Sequence, residues 1–157
     1  MPTYYNTKPS QRLINDYREL ISCVEDSKSP ICEIAGKEVV EFEIILEGPD
    51  DSPYKDGRFR LLCKFGNPSR YPFFQPTIKF LTSIYHPNVS DTGDICLDIL
   101  KDQWSPSLSL ERVLMSIHSL LRDPNPDDPL NIEVSTIYRS DYKEYFKRAT
   151  ELCKKNF

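Results

Sequence analysis

The apolar residues of this chain change period along its length, and the order of those changes limits the folds open to it. From a candidate cap at Ser10, the positions Leu13, Tyr17, Leu20, Ile21 and Val24 recur at helical spacing, so a first helix is expected with that face buried. From Glu38 to Glu47 the pattern turns to alternation, with Val40, Phe42, Ile44 and Leu46 on one face and mostly glutamates on the other. A turn rich in Pro, Asp and Gly spans Gly48 to Gly57, and Phe59, Leu61, Cys63 and Phe65 then alternate again. Ile78 and Phe80 mark a shorter strand beyond the Pro72–Pro76 loop. Leu110, Val113, Leu114, Ile117, Leu120 and Leu121 define an amphipathic helix, read as capped by Ser107 and stopped at Asp123 by Pro124. A short helix is expected from Asn131 to Arg139. A last one opens at Ser140, aligns Tyr142, Tyr145, Phe146, Ala149, Leu152 and Cys153, and ends in Lys154 and Lys155, whose charges suit its dipole. One helix, a run of strands and then a run of helices predict an α+β fold: a meander sheet covered by a helix on one face. A doubly wound sheet is excluded because helices do not alternate with the strands.

Between the last strand and the amphipathic helix, Leu81 to Pro106 keeps no period at all. A loop of this length inside a compact domain is usually functional. Eight of the thirteen prolines cluster from Pro68 to Pro129 and imply ordered loops of fixed shape. With 157 residues the chain is read as one catalytic-sized domain, residues 1–157, with residues 1–9 a short N-terminal extension. Five cysteines, an odd number without a close C-x-x-C pair, suggest neither a disulfide framework nor a zinc site, and a reducing cytosolic or nuclear compartment is expected. A formal charge of −4 without a basic stripe argues against nucleic acid, and no stretch reaches the length of a membrane span.

The aperiodic loop holds the chemistry. Cys96 lies eight residues after Asn88, in the run Ile84, Tyr85, His86, Pro87, Asn88, Val89, Ser90, Asp91, Thr92, Gly93, Asp94, Ile95, Cys96, Leu97, Asp98. Asp94 and Asp98 flank the sulfur, and anionic neighbours raise a thiol's pKa. That disfavours a hydrolase needing a primed nucleophile and suits a thiol that receives an already activated acyl group. Asp98 or Asp128 can then orient an incoming lysine, and the Asn88 amide can donate to an oxyanion or brace the loop. Plainer readings stand beside these. Most loop cysteines are unreactive, His86 beside Pro87 reads as a brace before a base, and His118 reads as a surface residue. The run Asp123 to Pro129 is either a helix terminator or a stiff holder for a carboxylate. Cys23, Cys32, Cys63 and Cys153 lie in or beside periodic stretches and are read as packing.

These residues resemble the ubiquitin-conjugating enzymes. The His86, Pro87, Asn88 triplet with Cys96 eight residues on is that family's signature. Asp94 to Leu100, then Gln103, Trp104, Ser105 and Pro106, match its active-site segment, as do Gly48, Pro49 and Tyr71, Pro72, Phe73 upstream. Asp123 to Leu130 reproduces its loop facing the cysteine, and the likeness runs from Arg12 and Leu13 to the last helix. It is closest to the promiscuous ubiquitin-specific group with a bare catalytic domain. The resemblance implies a four-stranded antiparallel meander sheet and an acyl carrier at Cys96 that takes ubiquitin from an activating enzyme. Asn88 would support the oxyanion or the loop, while Asp128, with Asp98, Asn125 and Leu130, would position the attacking lysine of a substrate protein. Arg112, Met115 and Ser119 match the face that holds donor ubiquitin, and Phe73, Trp104, Ser105 and Pro106 match the ligase-binding loops, for ligases of RING or HECT type. No metal or small cofactor is implied. Phe74 departs from close relatives and makes the ligase loop more apolar, and Arg12 and Arg18 are offset by Asp16 and Glu19, leaving the first helix less basic than usual. A non-catalytic adaptor of the same fold, a ubiquitin-like modifier in place of ubiquitin, and a thiol hydrolase are the alternative readings.

Overall fold

The structure, a computed structural model, describes residues 8–157; of the expected N-terminal extension, residues 1–7 lie outside the described residues. The element order is α1 (Gln11–Glu25), β1 (Ile31–Glu38), β2 (Glu41–Glu47), β3 (Arg58–Lys64), β4 (Thr77–Phe80), α2 (Leu110–Arg122), α3 (Ile132–Ser140) and α4 (Tyr142–Asn156), with short 3-10 turns at Pro68–Arg70 and Asp98–Leu100. The four strands form one antiparallel sheet in the order β1-β2-β3-β4. This is the α+β meander that the order of periods predicts.

The alternating residues do the burying. Phe42, Ile44 and Leu46 of β2 and Phe59, Leu61 and Cys63 of β3 are all buried, and they cluster with Leu13 and Leu20 of α1 and with Val113, Leu114, Ile117 and Leu121 of α2. Because the apolar side chains of β2 and β3 share one buried core with α1 and α2, sheet and helices fix one another's positions. The end of α2 and the loops beyond it can then be aimed.

Several expectations are corrected. The periodicity missed β1, which carries register shifts between Ile31 and Glu33 and between Ala35 and Glu38, beside Gly36 at φ 125°. Bulges insert unpaired residues and so break the two-residue period that marks a strand. The strand expected from Glu38 begins at Glu41, with Glu38 ending β1 and Val39 and Val40 forming the turn between the two. Ile21 is exposed on α1, and the carboxylate of Asp16 takes the buried position instead, held by Arg12 Nε at 3.0 Å and the Tyr71 hydroxyl at 2.6 Å. Ser10 caps α1 as expected, accepting from the Leu13 N–H at 3.1 Å. For α2 the cap is Ser109 rather than Ser107, whose hydroxyl pairs with Ser105. For α4 it is Asp141 rather than Ser140, which ends α3; on α4, Tyr142 and Phe146 are exposed while Tyr145, Ala149 and Cys153 are buried.

Among the described residues no helix is long and apolar enough to cross a membrane. Since Leu61 is fully buried at the centre of the core, Leu61→Ala is expected to cost about 2–5 kcal/mol, read from the shift in a urea unfolding midpoint at unchanged slope.

Candidate active site

Cys96 stands eight positions after Asn88 because the segment between them is a small hairpin. Val89 bridges Ile95 in antiparallel fashion, the Cys96 N–H donates to the Asn88 carbonyl at 2.8 Å, and the Ser90 N–H donates to the Asp94 carbonyl at 2.9 Å. The tip closes with Gly93 N–H donating to the Ser90 carbonyl at 3.0 Å. Gly93 sits at φ 91°, and a Cβ there would lie 1.9 Å from the Phe80 carbonyl oxygen, so only glycine fits. Its own carbonyl accepts from the Phe80 N–H at 2.8 Å, which seats the hairpin on the end of β4.

The three residues before the hairpin each bind a different part of the C-terminal half. His86 is fully buried: the Asn88 N–H donates to its Nδ1 at 2.9 Å, which leaves the proton on Nε2, 2.8 Å from the Leu120 carbonyl near the end of α2. Burial lowers its pKa to about 4, so the ring stays neutral, with both nitrogens engaged. The brace, rather than the base, is the role this geometry permits. The Pro87 carbonyl accepts from the Leu130 and Asn131 N–H groups at 2.9 and 3.0 Å. Asn88 uses its whole amide: Nδ2 donates to the carbonyls of Asn125 at 2.8 Å and Asp128 at 3.0 Å, and Oδ1 accepts from the Asn125 N–H at 2.8 Å.

That grip carries Asp128 across from the sulfur. The Cys96 thiol, 9% exposed, donates to Asp128 Oδ2 at 3.2 Å, and Lys101 Nζ approaches Sγ to 3.4 Å. Burial and the Asp128 hydrogen bond raise the thiol's pKa, opposed by Lys101. This is the direction expected from Asp94 and Asp98, but the facing acid is Asp128, 32 residues on in the chain. Asp94 is turned into the hairpin tip, accepting from Thr92 Oγ1 at 3.1 Å. Asp98 is exposed and organises the turn after the cysteine, its carbonyl accepting from Lys101 and Gln103 N–H groups. Asn125 and Leu130 lie exposed on the same loop as Asp128. Lys101 is the residue near the sulfur that the sequence reading missed. Its signal was the five-residue spacing across a 3-10 turn, which brings the two side chains back together.

The other predicted surfaces are separate from this site. Arg112, Met115 and Ser119 are exposed along one side of α2. Phe73 is 72% exposed and Phe74 45%, the latter under the Arg70 guanidinium. Trp104 donates from Nε1 to the Pro72 carbonyl at 2.9 Å, joining the two candidate ligase loops. Arg12 donates to the carbonyls of Pro106 and Leu108, so the first helix is fastened to the Ser105–Pro106 segment as well as to its own Asp16.

A family model described as ubiquitin-conjugating enzyme matches residues 12–153. The chain belongs to the ubiquitin-conjugating enzyme family. It is similar to a probable ubiquitin-conjugating enzyme E2 31 of Arabidopsis thaliana, 42% identical over 144 residues that cover 92% of this chain and 90% of that protein. As a ubiquitin-conjugating enzyme it is a transferase of the ubiquitin-like conjugation pathway, and its family implies ubiquitin, an activating enzyme and ligases as partners.

Two outcomes follow from the geometry of this ubiquitin-conjugating enzyme. The neutral His86 stabilises the fold above pH 6.5, where the unfolded ring is neutral too. As pH falls from 6.5 towards 4 the unfolded ring gains a proton that the folded one refuses, so stability drops by an amount on the order of 3 kcal/mol. Urea unfolding at pH 7.5, 5.5 and 4.5 reads that loss, and a folded His86→Gln variant is expected to lack its share of it. For the thiol, the pH profile of iodoacetamide alkylation at Cys96 is expected to lie above that of an ordinary cysteine. It should move to lower pH in Asp128→Asn, as mass spectrometry of the modified peptide would show.

Proposed function

We propose that Cys96 is the acyl carrier of this ubiquitin-conjugating enzyme. Its sulfur attacks the thioester between ubiquitin and an activating enzyme, forms a new thioester to ubiquitin's C-terminal glycine and releases the activating enzyme's thiol. A substrate lysine amine then attacks that carbonyl, an amide forms, and Cys96 leaves as a thiol. One observation carries the reading: the 3.2 Å hydrogen bond between the Cys96 thiol and the Asp128 carboxylate, which puts a nucleophile and an amine-receiving group in one site.

A raised thiol pKa favours exchange with an activated acyl group over attack on unactivated bonds, in accord with a carrier. The lysine is the harder partner. With a reference pKa of about 10.4, roughly one free lysine in a few thousand is deprotonated at pH 7, so a carboxylate that orients the amine and accepts its proton speeds the step. Asp128 takes that role, with Asp98 at the turn beyond the sulfur and Asn125 and Leu130 shaping the approach. Asn88 is assigned the brace rather than the oxyanion donor, on the ground that both its N–H groups are engaged by backbone carbonyls.

The outward side of α2, with Arg112, Met115 and Ser119, is assigned to donor ubiquitin. Phe73, Trp104, Ser105 and Pro106 are assigned to ligases of RING or HECT type, supported by the exposure of Phe73 and the tie between Trp104 and Pro72. The chain acts as one catalytic domain of the promiscuous ubiquitin-specific group, in the cytosol or nucleus, a compartment supported by its five unpaired cysteines.

Incubation with ubiquitin, ATP and an activating enzyme, resolved without reductant, tests the carrier. The native chain should yield a thiol-labile adduct, Cys96→Ser a thiol-resistant one, and Cys96→Ala none. With the adduct formed, Asp128→Ala should slow discharge to free lysine by about 10²-fold. An adduct that survives in Cys96→Ala would end the proposal.

A further inference from the structure

Cys96 Sγ meets one charged group of each sign. Its thiol donates to Asp128 Oδ2 at 3.2 Å, and the Lys101 ammonium nitrogen lies 3.4 Å from the sulfur. The acids nearer in sequence are turned to other partners: Asp98 Oδ1 accepts from the Ile99 N–H at 2.7 Å, and Asp94 Oδ2 from Thr92 Oγ1 at 3.1 Å. Local structure places the ammonium. The Lys101 N–H donates to the Asp98 carbonyl at 2.9 Å, closing the 3-10 turn, and its carbonyl accepts from the Trp104 N–H at 3.2 Å, so the backbone is tied on both sides while the side chain reaches back to the sulfur. Among the described residues Lys101 enters no ion pair, whereas Arg12, Arg122 and Arg139 each hold a carboxylate. Its charge is therefore directed at Sγ.

We propose that Lys101 is a catalytic residue of acyl transfer, whose ammonium stabilises the negative charge that develops on Sγ when ubiquitin is taken up and again when it is released. The inference rests on the carrier reading of Cys96 given above. In uptake, Asp128 Oδ2 takes the thiol proton as Sγ attacks the carbonyl carbon of the activating enzyme's thioester. A C–S bond to Cys96 forms, the C–S bond to the activating enzyme breaks, and that enzyme's sulfur leaves with the electron pair and is protonated from solvent. Asp128 then passes its proton to solvent. In discharge the substrate amine loses a proton to Asp128 as its C–N bond forms, the Cys96 C–S bond breaks, and the electron pair stays on Sγ beside Nζ until the sulfur is protonated. Nothing is oxidised or reduced, and Lys101 keeps all of its protons, acting through charge and hydrogen bonding alone. An opposite charge at such a distance favours the ionised sulfur, tempered here by solvent because Lys101 is exposed. The two neighbours thus divide the work. Burial and the Asp128 hydrogen bond keep the resting thiol protonated, and Lys101 favours the charged sulfur that exists only in passing, which is the form of stabilisation that accelerates a step.

The test compares the native full chain with Lys101→Met, which removes the charge and keeps most of the side chain's length, and with Lys101→Arg, which keeps the charge; Lys101→Gln replaces the methionine variant if that one unfolds at a lower urea concentration. Iodoacetamide, a neutral probe that reacts with thiolate, reads the sulfur without any partner. The pH midpoint of Cys96 alkylation should rise by about one pH unit in Lys101→Met and stay near the native value in Lys101→Arg. Charging is then followed in a single turnover at saturating activating enzyme, and discharge of the preformed thioester to free lysine is followed after ATP is removed. Both rates should fall by about tenfold in Lys101→Met and recover in Lys101→Arg. An alkylation midpoint unmoved in Lys101→Met, native rates of charging and discharge in that variant, or equal losses in the methionine and arginine variants would overturn the proposal while leaving the carrier reading intact. A native chain that never forms a thiol-labile adduct would overturn both.

Discussion

The buried amide of Asn88 is the joint on which the site depends. One side chain, with no charge, makes three hydrogen bonds to the backbone of the Asn125–Asp128 segment, while its own backbone carbonyl pins Cys96 across the hairpin. The Cys96 thiol and the carboxylate that faces it thus come from segments 32 residues apart in sequence yet share a single anchor. His86 and Pro87 extend the same grip to the end of α2 and the start of α3. Each bond exchanges a contact with water for one within the protein and so adds only about 1 kcal/mol net, but leaving any of these buried groups unpaired would cost more than that. Satisfied networks of this kind rigidify, and rigidity is what a site needs when one carboxylate must sit at hydrogen-bonding distance from a sulfur.

Electrostatically, Cys96 lies between opposite charges. Burial first, and then the Asp128 hydrogen bond, hold the proton on sulfur, and Lys101 works against them. A thiol so placed is quiet toward ordinary electrophiles and able to exchange with an activated one.

Much of the architecture was legible in the sequence because burial follows period. The inner faces of β2 and β3 and the stripe of α2 were read from spacing, and each is buried. β1 was not read, because Gly36 and two register shifts break the alternation that marks a strand. The caps of α2 and α4 were misplaced by two residues and by one, in stretches where serines and an aspartate compete for the same role. At the site, sequence proximity suggested Asp94 and Asp98 as the sulfur's anionic neighbours, whereas folding supplies Asp128. That distinction is a matter of tertiary contact, which no local pattern carries. The ties from Trp104 to the Pro72 carbonyl and from Arg12 to the Pro106 and Leu108 carbonyls were likewise beyond spacing, since each joins segments far apart in sequence.

The hairpin that carries Cys96 is, in effect, a ruler. Its two arms are paired residue against residue, and its tip is pressed against the end of β4 where a side chain at Gly93 would collide with the Phe80 carbonyl. Side chains along an extended arm alternate in direction, so one residue added to or removed from the stretch between Asn88 and Cys96 would turn the sulfur to the opposite face. The tip at Asp91, Thr92 and Asp94 is exposed, so its side chains are less constrained than its length. For a chain of this kind, diversification by substitution is open at the active-site loop and diversification by insertion is closed, which makes loop length a harder boundary on its evolution than loop composition.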